Sequence, residues 1–169
     1  MTRLYHYVGP DEIAAAVATI PIGFAIRQMQ DVTRWTKETG QHINRDGSII
    51  ATFIIDQHCT LHLADRHSEH VACAGGKPVL SAGEVTFIID GDKLEVSAIT
   101  NQSTGYCPQV SSWPDVANAL QRAGMATPGH FSSSYEFRRC RLCQAINIIK
   151  DDVLECALCE AELPEEWNF

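Results

Sequence analysis

Four cysteines near one end of the chain constrain its fold more than any other feature. "CRLC" at 140–143 and "CALC" at 156–159 are two Cys-x2-Cys pairs separated by twelve residues. Each pair sets two sulfurs on one tight knuckle, and two facing knuckles supply the tetrahedron of thiolates that zinc prefers. Cys140, Cys143, Cys156 and Cys159 are therefore read as ligands of one structural zinc ion. Four cysteines close the coordination shell and leave no position for a reacting water. The intervening "QAINIIKDDVLE" reads as two short strands around a turn at Asp151–Asp152, the hairpin of a zinc ribbon spanning 136–169. So short a piece cannot bury enough apolar surface alone, which gives the metal a folding role. The closing "LPEEWNF" offers Trp167 and Phe169 for docking on the rest of the chain or on a partner.

Seven cysteines, an odd count behind a start ("MTRLYHYVGP") that lacks the marks of a signal peptide, favour thiols and metal over disulfides. No apolar run approaches the length of about eighteen that a spanning helix needs, so no membrane contact is expected and the cytoplasm is the expected location. A hydrophobic share of 45% is a globular value that allows a sizeable core.

Upstream of the cysteines the chain reads as an α+β domain over 1–130, with a mainly antiparallel sheet and three short helices. "GPDEIAAAVATIP" is a helix whose Ile13, Ala16, Val17 and Ile20 share one face. "DVTRWTKETG" is a second, with Asp31 as N-cap and Val32 and Trp35 buried. In "SSWPDVANALQRAG", Ser112 caps a third, Val116, Ala119, Leu120 and Ala123 form its buried stripe, and Gly124 ends it. "SIIATFIID" suits a central strand and "TLHLA" a short partner. "GEVTFIID-GD-KLEVSAIT" is the clearest hairpin, with Val85, Phe87 and Ile89 facing Leu94, Val96 and Ala98. "MATPGHFSSS" is a linker by composition, and no internal repeat stands out.

A second concentration of chemistry lies in "ADRHSEHVACAGG" at 64–76. His58, Cys59, His62, His67, His70 and Cys73 could bind a second metal only if a helical turn brought the later ones together, since on a strand His67 and His70 point to opposite faces. "HSEHVACAGG" has room for one such turn, ended by its glycines. "HSE" also matches half of a zinc-deaminase signature, but no Pro-Cys-x-x-Cys follows. Cys107, with His70 as a conceivable base, is a candidate nucleophile, though buried inert cysteine is the commoner case. "RLYHYVG" before a helix is similar to the opening strand of ADP-ribosyltransferase-type toxins, which would cast His6 and Glu84 as site residues. An edge strand with Leu4, His6 and Val8 on one side accounts for the same letters.

Read together, residues 67–108 give His-Ser, "GG", Val79, "AGE" and then N-x-S-x-x-Y-x-P. That order resembles the core domain of plant IQ-motif calmodulin-binding proteins and of scattered bacterial proteins. It also resembles a group of uncharacterised bacterial zinc-ribbon proteins that end in "LP-x-x-WNF". The matching positions are His67, Ser68, Gly76, Val79, Ala82, Gly83, Asn101, Ser103, Tyr106 and Pro108, within about a quarter of the chain. Gly105 stands where the family has a histidine, and no IQ segment is present. The resemblance implies a shared sheet and no particular activity, and it does not carry calmodulin binding.

If the strand at 79–89 pairs between these polar segments, His67, Glu69, His70, Glu84, Asn101, Ser103 and Tyr106 would converge at one end of the sheet. They would line a small-molecule pocket there or form a hydrogen-bond network that pins the loops. The net charge of −8 opposes nucleic acid, and the one basic run, "RRCR" at 138–141, faces seven carboxylates in its own segment. The sequence thus points to a bacterial-type zinc-binding interaction or adaptor module with a protein partner. A small transferase acting on a nucleotide-type substrate through the polar cluster is the alternative, and a nucleic-acid-binding ribbon comes third.

Overall fold

The computed structural model describes residues 2–169. Its centre is the run of branched apolar residues Ser48–Ile55 (β2), buried at seven of eight positions. Leu61–Asp65 (β3) and Ser81–Asp90 (β4) flank it, both antiparallel. Phe24–Ile26 (β1) edges β3, and Lys93–Ile99 (β5) returns along β4. The sheet order is β1-β3-β2-β4-β5, so the α+β reading with an antiparallel sheet holds. β1 has no sequence signal of its own, because three residues are too few to show alternation.

The twofold period of the strands sorts the core into two faces. Ile49, Ala51, Phe53 and Ile55 pack in one cluster, while Ile54 and Ala82 belong to another with Tyr5, Val71 and Tyr106. The hairpin departs from the expected alternation at one point. Thr86 pairs with Ala98 but Phe87 with Val96, leaving Ser97 as a bulge whose hydroxyl donates to Thr86 O at 3.2 Å. The inserted residue shifts the period, so Ile99 rather than Ala98 is the buried partner of Val96.

Gln30–Glu38 (α2) and Trp113–Arg122 (α4) cover the first face. Val32 and Trp35 of α2 are buried there, as are Val116, Ala119, Leu120 and Ala123 on the α4 side. Ser112 stands at the N-cap of α4 as expected, whereas Asp31 falls inside α2, and neither side chain caps its helix. Helix α2 begins two residues early, with Met29 at its N-cap, and the Asp31 carboxylate turns back to accept the N–H groups of Arg27 (2.9 Å) and Gln28 (3.2 Å). The Ser112 hydroxyl meets Ser81 Oγ at 2.9 Å instead of the helix. Asp11–Val17 (α1) and the single turn His70–Cys73 (α3) cover the other face. Helix α1 stops at Val17, before Pro21, so Ala16 and Ile20 are exposed, and Ile13 and Ala14 accompany Val17 inward.

The stretch read as a linker is packed. Met125 and Phe131 are buried, and the chain then runs beside the end of β5, where Ser132 N–H donates to Ile99 O (2.8 Å). A bridge between Thr100 and Ser133 continues that pairing, which covers the sheet edge.

Phe137–Arg139 (β6) and Ile146–Ile148 (β7) form a separate two-stranded sheet across the first knuckle. The expected hairpin across Asp151–Asp152 is therefore replaced. Both residues do turn the chain, at φ 52° and 56°. The strand before the turn pairs with β6, however, and Glu155 after it bridges Glu162. Each knuckle closes its own hairpin.

Candidate metal centre

The two knuckles are one six-residue device used twice, C-x-L-C-[QE]-A at 140–145 and 156–161. Cys140 N–H donates to Ala145 O at 2.9 Å, and Cys156 N–H to Ala161 O at 2.8 Å. Gln144 and Glu160 donate back to the carbonyls of Cys140 (3.0 Å) and Cys156 (2.9 Å), both from left-handed backbone at φ 64° and 60°. This repeat corrects the reading that the chain has none. Its signal was the shared leucine and alanine around each cysteine pair.

Folding brings the four Sγ atoms within 4.8 Å of one another. Cys140–Cys159 and Cys143–Cys156 stand at 3.6 Å, far beyond the ~2.0 Å of a disulfide. A tetrahedron with metal–sulfur bonds of about 2.3 Å has edges of about 3.8 Å, so the donor set fits a four-coordinate ion. Cys140 and Cys156 are buried, and the chain's seven cysteines are all free thiols.

Backbone amides aim at these sulfurs. Those of Cys143 and Leu142 hold the Cys140 thiol below its ordinary pKa, and those of Cys159 and Leu158 draw Cys156 down to about 6. The Ala145 and Ala161 amides act likewise on Cys143 and Cys159. There burial and the neighbouring thiols prevail, raising Cys143 and pushing Cys159 up to about 12. The thiols are thus shifted in opposite directions, Cys140 and Cys156 down and Cys143 and Cys159 up, and a bound dication would favour the thiolate at all four.

Asn147 on β7 joins the knuckles, a role the spacing of the cysteines did not reveal. Its buried amide accepts from Ala157 N–H (2.9 Å) and donates to Ala145 O (3.0 Å), with Cys156 Sγ at 3.5 Å. The arginines of "RRCR" are largely consumed by the fold. Arg138 donates to the carbonyls of Pro164, Glu165 and Phe137, and Arg139 lies over the Phe169 ring at 5.2 Å. The terminal aromatics dock on the parent chain. Trp167 Nε1 donates to Cys107 O (2.8 Å), its ring meets Tyr5 edge-on, and Asn168 pairs its side chain with the Arg139 backbone.

The polar residues of 67–106 meet backbone more than one another. His67 is exposed, with Nδ1 3.0 Å from Asp65 Oδ1, and Glu69 is exposed at the start of α3. His70 Nε2 donates to Gly83 O at 2.9 Å, and burial holds its pKa below the usual histidine value. Glu84 is half-buried and paired across the sheet with Thr52, whose hydroxyl donates to Arg66 O and Ser68 O. Asn101 is fully buried, donating to Pro108 O and Tyr135 O and accepting from Tyr135 N–H. Ser103 Oγ accepts from Tyr106 N–H, and Tyr106 OH donates to Lys77 O at 2.8 Å. Among the described residues no buried side-chain nitrogen or oxygen lacks a partner. A cleft of about 450 Å³ opens elsewhere, where the ribbon meets the body, lined by Arg3, Gln109, Tyr135, Glu136, Arg138 and Trp167.

The other cysteines and histidines do not assemble a second site. Among the described residues, only the four knuckle cysteines bring three or more metal-binding groups together. His62 sits between Gly23 O (3.0 Å) and Asp56 Oδ2 (2.9 Å), His58 and Cys59 lie in the preceding turn, and Cys73 Sγ faces His62 O at 3.7 Å. Cys107 is buried with its thiol pushed up to about 12, the opposite of an activated nucleophile. His6 is exposed on the strand-like segment whose Tyr5 bridges Val79. Among the described residues no helix is long and apolar enough to cross a membrane. No protein-family model, curated protein or solved structure matches the chain.

Proposed function

We propose that this chain is an interaction module whose ribbon, residues 136–169, is folded by one zinc ion and held against the body at 1–130. The closed four-sulfur shell carries the reading. A centre with every position taken by protein thiolate can fix backbone but offers no site to a substrate or water. Zinc is the ion of choice, because four cysteine sulfurs in a tetrahedron suit it and its function there needs no redox change. The pattern from His67 to Pro108 is read as a folding signature, since its buried polar groups bind backbone and Gly83 lets backbone pass. Free thiols throughout favour a reducing compartment such as the cytoplasm.

Metal analysis of the purified chain is expected to give one zinc per molecule. Crosslinking the tagged chain in its native cells is expected to retain a stoichiometric protein partner. Absence of zinc defeats the metal assignment, and absence of any partner defeats the module reading. Turnover of a nucleotide-type substrate that is lost on replacing His70 or Glu84 would instead establish the transferase alternative.

A further inference from the structure

We propose that the exposed tips of the two knuckles dock a segment of a partner protein that presents apolar side chains among lysines and arginines. The proposal rests on the module reading and adds where the partner sits and what it must look like. Among the large apolar side chains exposed in the described residues, the three most exposed are Leu142 (75%), Leu158 (73%) and Val153 (58%). All three lie in the ribbon. Leu142 and Leu158 hold the same place in the two copies of C-x-L-C-[QE]-A. The knuckle uses only their backbone N–H groups, which face the sulfurs of Cys140 and Cys156, so any side chain would serve the fold there.

Scattered exposed leucines are ordinary. A leucine repeated at equivalent points of two turns whose sulfurs converge within 4.8 Å is an apolar tip whose backbone, once an ion is bound, has little freedom left to lose on binding.

The surrounding charge selects the occupant. Every acidic side chain from Asp151 to Glu166 is exposed, and none forms an ion pair among the described residues. Arg141 and Lys150 are the exposed cations nearby, while Arg138 and Arg139 are engaged within the ribbon. Nucleic acid and anionic lipid are repelled by such a surface. A second copy of this chain would bring the same carboxylates and a further net charge of −8. A basic, apolar peptide segment satisfies both the leucines and the field around them.

The test uses the zinc-loaded full chain and a fluorescein-labelled leucine–lysine peptide patterned as an amphipathic helix. Companion peptides carry glutamate for every lysine, or serine for every leucine. Saturable anisotropy change is expected for the leucine–lysine peptide alone, with ¹⁵N shift changes centred on residues 142, 153 and 158. Leu142→Asn with Leu158→Asn should keep the zinc and raise Kd about tenfold or more. Glu155→Gln with Glu160→Gln should weaken binding and flatten its salt dependence.

Equal binding by the leucine-substituted chain, or by the leucine–glutamate peptide, overturns the proposal. So does self-association through these leucines in sedimentation, or adhesion to phosphatidylserine vesicles. Crosslinking in cells separates the two levels. A partner kept by the leucine-substituted chain leaves the module reading standing and removes this surface, whereas no partner on the parent chain removes the module reading itself.

Discussion

Replacing Gly83 by alanine tests how the sheet and the loop after β5 are fitted together. An added Cβ would come closer to Thr100 O than the 3.0 Å that real Cβ atoms keep, with Thr100 C at 2.8 Å and Asn101 Cα at 3.1 Å. All three atoms are backbone, so no rotamer change relieves the overlap. The remaining escape is to lift residues 100–101 from β4. That motion strains the Thr100 N–H to Glu84 O bond (2.9 Å) and the bonds by which Asn101 holds Pro108 and Tyr135. Overpacking typically costs about 1–3 kcal/mol, and a backbone clash belongs at or above the upper end, about 3 kcal/mol. At roughly 2–4 °C per kcal/mol for a chain of this size, Tm should fall by roughly 6–12 °C. Gly76→Ala is the control, since nothing lies within 4 Å of its Cβ and only its φ of +74° resists substitution, at about 1–2 kcal/mol. Urea titration and thermal melting of the zinc-loaded proteins provide the comparison. If Gly83→Ala melts within about 2 °C of the parent, or loses less stability than Gly76→Ala, the close-approach argument is wrong.

Three further perturbations probe other parts of the molecule. Burial holds the His70 pKa below the unfolded value of 6.5, so the folded chain binds fewer protons there than the unfolded one. Its contribution to stability is complete above about pH 6.5 and is lost as pH falls from there toward the folded pKa, so urea midpoints of the parent and His70→Gln should differ in slope on the acid side; parallel curves would contradict this. Cys73 and Cys107, both buried and pushed up to about 12, should resist iodoacetamide at mild alkaline pH until the chain unfolds, whereas rapid labelling of the folded protein would show them accessible. Trp167→Ala should cost about 2 kcal/mol while the purified protein keeps its full zinc content, because the indole packs on Tyr5 and Cys107 rather than on the knuckles; loss of metal in that variant would show that docking holds the ribbon.

What the sequence revealed divides along the reach of each interaction. The four cysteines that meet are those the spacing singles out, because a knuckle is a local turn whose geometry six residues specify. The central strand β2 and the hairpin β4–β5 were equally legible, since an apolar run and a Gly91–Asp92 turn are read within a few residues. The edge strand β1 and the strap after Met125 depend on pairings with distant chain, the bulge at Ser97 is a register slip inside the hairpin that its letters do not mark, and composition alone made the strap look like a linker. The same reason separates Asn147 from the cysteines it supports. A buried asparagine inside "AINI" is an oddity in sequence, and only the fold shows it reaching Ala157 of the second knuckle. His70, Asn101 and Tyr106 were legible as polar groups near glycines, but not their partners, which are carbonyls of Gly83, Pro108, Tyr135 and Lys77.

The two parts of the chain differ in what holds them. The body owns a cluster of large apolar side chains running through Trp35, Phe53 and Phe87. The buried cluster of the ribbon consists of Cys140, Cys156 and Leu163, and the first two belong to the four-cysteine set that could hold an ion. On the proposed zinc reading, removing the ion would take from the ribbon most of what orders it, while the body keeps its own core. The effect does not stop at the knuckles, because the segment that closes the ribbon also carries Trp167 onto Tyr5 and Cys107. Arg139, beside Cys140, donates to Val8 O at 3.4 Å on the opening segment. Loss of metal should accordingly loosen the seam at Tyr5 and Val8 before it disturbs β2. The repeated leucines would then lose the fixed backbone that presents them, so on this reading the ion proposed to fold the ribbon also sets whether its surface exists.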